Sequence, residues 1–144
     1  MASRYRFRGY HKSSKTWVYG DLIQPTRGNV RAVIVSSSAC NGGWLMPLTR
    51  HAVDPESVGE YTGLKDKNGV EIYEGDIVNI RFRDEPNKFA WEAGIIKWYQ
   101  PSSAYKWFSL EEDSSDGNNY WLSQADEHER EVIGNIYENS ELLR

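Results

Sequence analysis

Hydrophobic and polar residues alternate with a period of two at the start of the chain. In the first segment, aromatic residues alternate with Arg4, Arg6 and Arg8. This period places successive side chains on opposite faces of a strand. A polar turn follows, and residues 17–23 resume strand character, so the sequence predicts an antiparallel hairpin. We interpret the arginine face as a solvated exterior, with an anion-binding stripe as the functional alternative.

Short runs of β-branched and aromatic residues continue to the end of the chain, separated by turn-forming residues. They predict strands at residues 30–35, 44–48, 77–83, 92–99, 105–110, 120–122 and 132–137. The segments between them predict loops at residues 36–43, 84–91 and 111–119. Helical turns are predicted only at Asp54-Pro55, where Asp can cap and Pro can begin a turn, and after Ser140. The chain is therefore predicted to be mainly β.

Two glycine turns organise the middle of the chain. Asn68-Gly69 predicts a hairpin because both residues tolerate positive φ. A second turn at Gly75 leads into the strand at residues 77–83. The order of strands that follows is typical of a small SH3-like barrel. We therefore expect an N-terminal β-hairpin lobe at residues 1–60 and a C-terminal SH3-like barrel lobe at residues 61–144, or one integrated domain formed by both.

Composition and charge limit the classes of partner that the protein could bind. The 144 residues carry a net charge of −4, which divides into +4 for residues 1–60 and −8 for residues 61–144. An acidic C-terminal part argues against generic binding to duplex DNA, because Lys and Arg supply most of that affinity. No apolar run approaches the roughly 18–20 residues of a membrane helix. The first residues include no apolar stretch typical of a secretion signal, and Cys40 is the single cysteine. We therefore expect a cytoplasmic protein without membrane association.

Residues that could carry catalysis or bind a metal are sparse. His11, His51 and His128 stand far apart and share no metal-ligand spacing. Asp76 or Glu74 could serve a hydrolase as an acid or base, but an Asp at a turn more commonly accepts hydrogen bonds from the neighbouring backbone. We therefore predict no catalytic, cofactor or metal site and expect a protein that is not an enzyme.

The alternation in residues 77–83 and 92–99 predicts which side chains face water. Those predicted to face the interior are Val78, Ile80, Phe82, Ile96 and Trp98. Those predicted to face outward are Ile77, Asn79 and Ile95, together with a candidate interaction surface formed by Arg81, Arg83, Lys97 and Tyr99. Such a surface can stack single-stranded bases or bind a peptide. The alternative is that its long side chains only cover apolar surface.

The six tryptophans are interpreted as mainly structural, because a small β domain needs large side chains to bury enough area. This interpretation covers Trp91, Trp107 and Trp121. It places Trp98 in the core, where replacement by Ala would cost roughly 3–5 kcal/mol.

Three sequence strings carry a family resemblance. They are residues 7–11 with 17–21, residues 58–69 with 72–77, and residues 131–143. In these strings the chain resembles the YopX family of phage and prophage proteins, in which Ser140 often corresponds to Pro. The resemblance implies a small, mostly β, cytosolic protein encoded by mobile elements. It supplies no catalytic residues, because the family has no established activity.

We therefore expect a non-enzymatic, β-rich interaction module that binds a host or phage protein and needs no cofactor. The alternative is single-stranded nucleic-acid binding through the surface of Arg81, Arg83, Lys97 and Tyr99. A hydrolase that uses the turn carboxylates is the least favoured function.

Overall fold

The computed structural model describes residues 5–24, 32–37, 48–86, 88–111 and 119–143. Within these ranges the chain forms strands and short 3-10 turns and no α-helix, so the prediction of a mainly β protein is confirmed. The strands are β1 (Phe7–His11), β2 (Thr16–Ile23), β3 (Val33–Ser37), β4 (Leu48–Ala52), β5 (Gly59–Lys65), β6 (Glu71–Tyr73), β7 (Asp76–Glu85), β8 (Lys88–Tyr99), β9 (Ala104–Ser109), β10 (Asn119–Trp121) and β11 (Arg130–Asn135).

The strands form two antiparallel sheets. The six-stranded sheet has the order β4-β3-β2-β1-β5-β6, and the five-stranded sheet has the order β10-β9-β8-β7-β11. The chain divides into two compact units, Met1–Tyr61 and Thr62–Arg144, and the division falls within β5. The 3-10 turns are Pro55–Ser57, Gln100–Ser102, Leu122–Gln124, Glu127–Glu129 and Ser140–Leu143.

The first unit contains the predicted hairpin, with β1 and β2 paired antiparallel from Phe7↔Gly20 to His11↔Thr16. Its buried hydrophobic residues are Ala32, Ile34 and Val53. Asp54 accepts a hydrogen bond from the Glu56 amide at the start of the Pro55–Ser57 turn, as its capping role predicts.

The arginine face of β1 is less solvated than we expected. Arg4 lies outside the described residues, and Arg6 is half-buried, with its guanidinium 5.5 Å from the ring centre of Tyr61. Arg8 is buried, with its guanidinium 4.7 Å from the ring centre of Trp17. The interpretation of a solvated exterior is therefore wrong for Arg8, whose guanidinium packs against the Trp17 ring of the neighbouring strand.

The region between β3 and β4 is only partly described. Most of the predicted loop at residues 36–43 and of the predicted strand at residues 44–48 lies outside the described residues. From Leu48 the chain is described again as β4, which pairs with β3 from Val33↔Ala52 to Ser37↔Leu48.

The predicted hairpin between β5 and β6 is present, but its turn is longer than two residues. The Asp66 amide donates to the Val70 carbonyl at 2.9 Å, and the Gly69 amide donates to the Asp66 carbonyl at 2.9 Å. Gly69 has a φ of 77°, whereas Asn68 keeps a negative φ. Only the glycine therefore needs the left-handed region in this turn.

The core of the second unit is built around Trp107. This side chain is fully buried, and its Nε1–H donates to the Val78 carbonyl at 2.8 Å. Gly94 provides the space for the indole, since a Cβ there would lie 2.5 Å from the Phe108 carbonyl oxygen and still closer to the Trp107 ring. The buried residues of this core are Ile72, Val78, Ile80, Ile96, Trp107 and Leu122.

Two side chains depart from the predicted alternation. Ile77 was expected to face water but is fully buried, opposite Gly134, where β11 bulges and a turn follows. Trp98 was expected in the core but is 42% exposed, because β8 extends beyond the buried cluster there. Its indole instead donates to Gln100 Oε1 at 3.0 Å and packs edge-on against Tyr105.

The second unit also differs from the predicted barrel. The five-stranded sheet is open between its edge strands, β10 and β11, and the described strands form no closed barrel. One reason is that β10 has three residues and leads directly into the Leu122–Gln124 turn, which takes the chain out of the sheet. The predicted loop at residues 84–91 is wrong, because β7 continues to Glu85 and β8 begins at Lys88.

Candidate ligand-binding face of the five-stranded sheet

Strand register determines which side chains share a face of the five-stranded sheet. In antiparallel strands, directly opposed residues project from the same face. Arg81 lies opposite Trp91, and Arg83 lies opposite Phe89. Further along β8, Lys97 lies opposite Lys106 of β9. These residues lie on the face opposite the Trp107 core, which we call the outer face.

The register brings the four predicted surface residues to this single face. Arg81 and Arg83 alternate on β7, and Lys97 and Tyr99 alternate on β8. Arg83, Lys97 and Tyr99 are exposed, and Arg81 is half-buried. The arrangement follows from the period of two, because the described part of β8 between Trp91 and Tyr99 has no irregularity in its pairing.

Cations and aromatic rings are paired across the outer face. The Arg81 guanidinium lies 4.0 Å from the ring centre of Phe89. The Lys106 ammonium lies 4.3 Å from the ring centre of Tyr99 and 4.6 Å from that of Trp121. Further pairs join Lys67 to Trp91 at 4.8 Å and Lys97 to Phe108 at 5.6 Å. Each pair combines a cation with the negative face of an aromatic ring.

The charge of this face differs from that of its unit. Arg81, Arg83, Lys97 and Lys106 contribute four cations, and Lys67 adds a fifth from the β5–β6 turn. Glu131 is the one acidic residue among the described strand residues that project from this face. It pairs with Lys67 at 2.6 Å. The outer face is therefore locally basic, although residues 61–144 carry −8.

The rings of the outer face are accessible to a ligand. Phe89, Trp91 and Tyr99 expose 47%, 45% and 36% of their surface. Ring contacts such as Tyr99–Phe108, with centres 6.2 Å apart, connect neighbouring strands. The sheet restricts the rotation of these side chains, so ordering them when a ligand binds costs little free energy.

Sequence reasoning missed more than half of this surface. Phe89 and Trp91 were assigned to the predicted loop at residues 84–91. Lys106 and Phe108 lie in a strand that was predicted, and extending the period of two from β8 to β9 would have placed them on the same face. Trp121 needs the β9–β10 register, where it lies opposite Lys106, and no local signal gives that pairing.

The carboxylates considered for hydrolysis bind the backbone instead. Asp76 is almost completely buried, and its Oδ2 accepts from the Tyr73 amide at 2.8 Å. Glu74 Oε1 accepts from the Trp98 amide at 3.4 Å. Both carboxylates therefore hold the turn around Gly75 against the sheet, a role that the turn chemistry of Asp predicts.

A second buried carboxylate and a buried arginine join the hairpin turn to the rest of the unit. Asp66 accepts from the amides of Asn68, Val70 and Val132 at 2.8–3.0 Å. Arg130 donates through Nε to the Lys65 carbonyl at 2.7 Å. Because these buried charged groups have hydrogen-bond partners within the protein, they stabilise the fold and do not indicate a ligand site.

Arg130 also holds the segment that leads into β11. Its guanidinium donates to the carbonyls of Leu122 at 3.3 Å and Ala125 at 2.9 Å. Burial lowers the pKa of Arg130 by desolvation, and the charges of Glu127 and Asp126 act in the opposite direction. An arginine remains a cation under these conditions, because its unperturbed pKa lies far above neutrality.

The histidines form no metal site in the described part of the chain. His11 is hydrogen-bonded to Ser14 at 2.7 Å, and its ring centre lies 5.6 Å from that of His51. His128 lies in the exposed Glu127–Glu129 turn. No group of three or more potential metal-ligating residues occurs among the residues that the structure describes. Cys40 lies outside them.

The described residues contain no helix long and apolar enough to span a bilayer.

Comparisons with known proteins give a family and a fold. The sequence model of one family, described as YopX protein, matches residues 6–144. The chain is also similar to a solved structure entitled "Crystal structure of protein EF1440 from Enterococcus faecalis". The two share 22% identity and a TM-score of 0.54, with 99% of this chain and 100% of that chain covered. At this identity the likeness supports the fold alone. No curated protein matches the chain.

Proposed function

The chain belongs to the YopX family, whose function is unknown, and we propose that it is a non-enzymatic binding module that acts through the outer face of its five-stranded sheet. The observation that carries this proposal is the pairing of exposed rings with cations across four neighbouring strands. The turn carboxylates give no support to a hydrolase, because Asp76 and Glu74 accept hydrogen bonds from backbone amides. We place this activity in the cytoplasm.

Single-stranded nucleic acid is the ligand that this face fits best. Unpaired bases stack on aromatic rings and on guanidinium planes, and the backbone phosphates pair with Lys and Arg. Phe89, Trp91 and Tyr99 supply the rings, and Arg81 and Lys97 lie beside them. Stacking contributes about 1–3 kcal/mol per base, so a few such contacts suffice for measurable binding.

Duplex DNA fits the face less well. Reading a duplex requires an element that enters a groove, whereas these cations and rings lie on the surface of an open sheet. The charge of −8 on residues 61–144 also repels a polyanion from the rest of the unit. We therefore expect binding to be restricted to a strand whose bases are free to turn toward the sheet.

A protein partner, of host or phage origin, is the second candidate. It is favoured by the close approach of Arg81 to Phe89 and of Lys106 to Tyr99, because a cation held against a ring is already positioned to bind a carboxylate. The chain's net charge of −4 also disfavours nucleic acid as a class of partner. An acidic peptide segment would satisfy the same cations.

Fluorescence anisotropy of a labelled oligothymidylate tests the nucleic-acid proposal. We expect binding at low salt that weakens as salt is added. Replacing Lys97 with Gln should reduce the magnitude of the slope of log affinity against log salt by about 0.7, the value for one phosphate contact to a single strand. Lys65 of β5, which is exposed and lies in the six-stranded sheet, gives the charge-matched control K65Q.

Two tryptophans provide a second matched comparison. Trp91 and Trp98 expose 45% and 42% of their surface but lie on opposite faces of the sheet. Trp91→Leu should weaken oligonucleotide binding, whereas Trp98→Leu should leave it unchanged. Equal effects from the two variants would exclude the outer face as the contact surface. Absence of oligonucleotide binding, together with binding of a polyglutamate peptide, would favour the protein partner instead.

A further inference from the structure

The pairing of β7 leaves a cavity at the edge of this strand, beside the Trp107 core. β11 pairs with β7 only as far as Arg130↔Ile80, so residues 81–83 have no neighbouring strand on that side in the described structure. A cavity of about 410 Å³ lies there. Its size falls within the roughly 300–1,000 Å³ typical of small-molecule sites.

One wall of the cavity is aromatic. Phe82 and Tyr120 both line it, with ring centres 4.7 Å apart and ring planes 39° from parallel. Tyr120 is 41% exposed, whereas Phe82 packs against Trp107 at 5.3 Å. The Tyr120 ring therefore rests on the core and retains exposed surface, as a stacking platform requires.

The polar lining residues include charges of both signs. Arg81 and Arg83 lie on β7, and Gln124 and Glu129 come from the segment that joins β10 to β11. No hydrogen bond or ion pair joins the side chain of Gln124 or Glu129 to another residue that the structure describes. The Glu129 side chain is nevertheless half-buried, which is a favourable environment for a ligand that donates hydrogen bonds to it.

We propose that this cavity binds a guanine base, stacked on Tyr120 and hydrogen-bonded to Glu129 and an arginine. The inference extends the proposed function, because Arg81 and Arg83 belong to both the cavity and the outer face. A strand that passes from the outer face over the edge of β7 would place one base in the cavity. A free guanine nucleotide offers the same base chemistry.

The choice of guanine follows from its donors and acceptors. A carboxylate only accepts hydrogen bonds, so Glu129 selects a base edge with adjacent donors. Guanine has two neighbouring donors, at N1 and N2, and the acceptors O6 and N7, to which arginine binds in a bidentate manner. Adenine and cytosine each present a single amino group, and thymine presents one N–H between two carbonyl acceptors that the carboxylate would repel.

The test compares an oligothymidylate containing one central guanine with the all-thymine strand. A third strand carries hypoxanthine in place of guanine and so lacks the N2 amino group. We expect the guanine strand to bind about tenfold more tightly than the other two, the discrimination typical of a bidentate contact. Glu129→Gln should abolish this preference and leave the affinity for the all-thymine strand within twofold of the wild-type value.

Glu127→Gln is the matched control. Glu127 lies in the same 3-10 turn, is exposed, and is absent from the cavity lining, so E127Q removes the same charge without altering the proposed contact. Circular dichroism of E129Q establishes that it is folded. Gln124→Ala provides an independent variant at an exposed position and should also reduce the preference for guanine.

The outcomes separate this inference from the proposed function. Oligonucleotide binding without a preference for guanine, or with a preference that E129Q retains, would overturn the guanine site and leave the outer-face proposal intact. If no strand binds, the nucleic-acid proposal fails, and direct titration with guanosine monophosphate tests the cavity alone. Binding of that nucleotide to the wild type and its loss in E129Q would support the site, and no binding to the wild type would refute it.

Discussion

The two tryptophans Trp107 and Trp98 give the sharpest test of the core. Sequence alternation placed Trp98 in the interior, whereas the structure buries Trp107 and leaves Trp98 42% exposed. Replacing each with Phe keeps an aromatic ring at the site and removes the indole N–H together with part of the side-chain volume. The two variants therefore change the same chemistry in different environments.

Two effects contribute to the loss of unfolding free energy expected for Trp107→Phe. Loss of the Nε1–H leaves the Val78 carbonyl without a buried hydrogen bond made at 2.8 Å, which costs about 1–3 kcal/mol. The smaller ring leaves a void beside Gly94, which adds about 1 kcal/mol. We therefore expect destabilisation of about 2–4 kcal/mol. Trp98→Phe loses an exposed hydrogen bond to Gln100, so its effect should stay within about 0.5 kcal/mol.

Urea unfolding followed by circular dichroism measures the difference, because this signal does not depend on the tryptophan that is removed. The slope of the unfolding free energy against urea should be the same in both variants, and the midpoint should fall only for Trp107→Phe. A larger loss from Trp98→Phe would mean that the β8–β9 register is shifted by one residue. The assignment of Arg81, Lys97 and Tyr99 to one face would then be wrong.

Two further substitutions test the packing and the buried charges of the same unit. Gly94→Ala should destabilise the protein by about 1–3 kcal/mol in urea unfolding, because the added Cβ meets the Trp107 ring and the Phe108 carbonyl, and an effect near zero would contradict this packing. Arg130→Lys should cost about 2–4 kcal/mol, since one ammonium group cannot replace the fork that binds the carbonyls of Lys65, Leu122 and Ala125. Arg83→Lys, at an exposed position, is the control for Arg130→Lys. Equal losses of stability from these two variants would contradict the role of Arg130 in binding the three carbonyls.

Local signals in the sequence predicted the elements that depend on neighbouring residues. Alternation identified the β1–β2 hairpin, and the glycine at position 69 identified the turn between β5 and β6. The cap at Asp54 was also predicted, because its hydrogen bond spans only two residues. Such features require no knowledge of the rest of the fold.

Features that depend on distant residues were not predictable in the same way. Closure into a barrel depends on whether β10 and β11 pair, and in the described structure β11 pairs with β7 alone. Alternation gives the face of a side chain but not where along a strand the core ends, which explains the error at Trp98. The burial of Ile77 likewise could not be predicted from alternation, because the residue opposite it is Gly134, more than fifty residues later in the sequence.

The strings that carry the family resemblance mainly specify the scaffold. Asp66, Asp76 and Gly69 lie within them, and each serves a turn: the carboxylates accept from backbone amides, and the glycine supplies a positive φ. These roles give the shared strings a structural function. A carboxylate that is saturated by amide donors inside the protein has little capacity left to bind a substrate.

The outer face lies largely between those strings, from Arg81 on β7 to Phe108 on β9. Its side chains are not needed to satisfy turns, and the fold tolerates changes at exposed strand positions at little cost in stability. The scaffold and the contact surface are therefore separable in this chain. Substitution of Lys97 or Trp91 should weaken ligand binding without changing the unfolding midpoint. Substitution of Arg130 or Trp107 should lower the unfolding midpoint without changing ligand binding by the folded protein. A variant of Lys97 that lost both stability and binding would show that the cation–π pairs support the sheet itself.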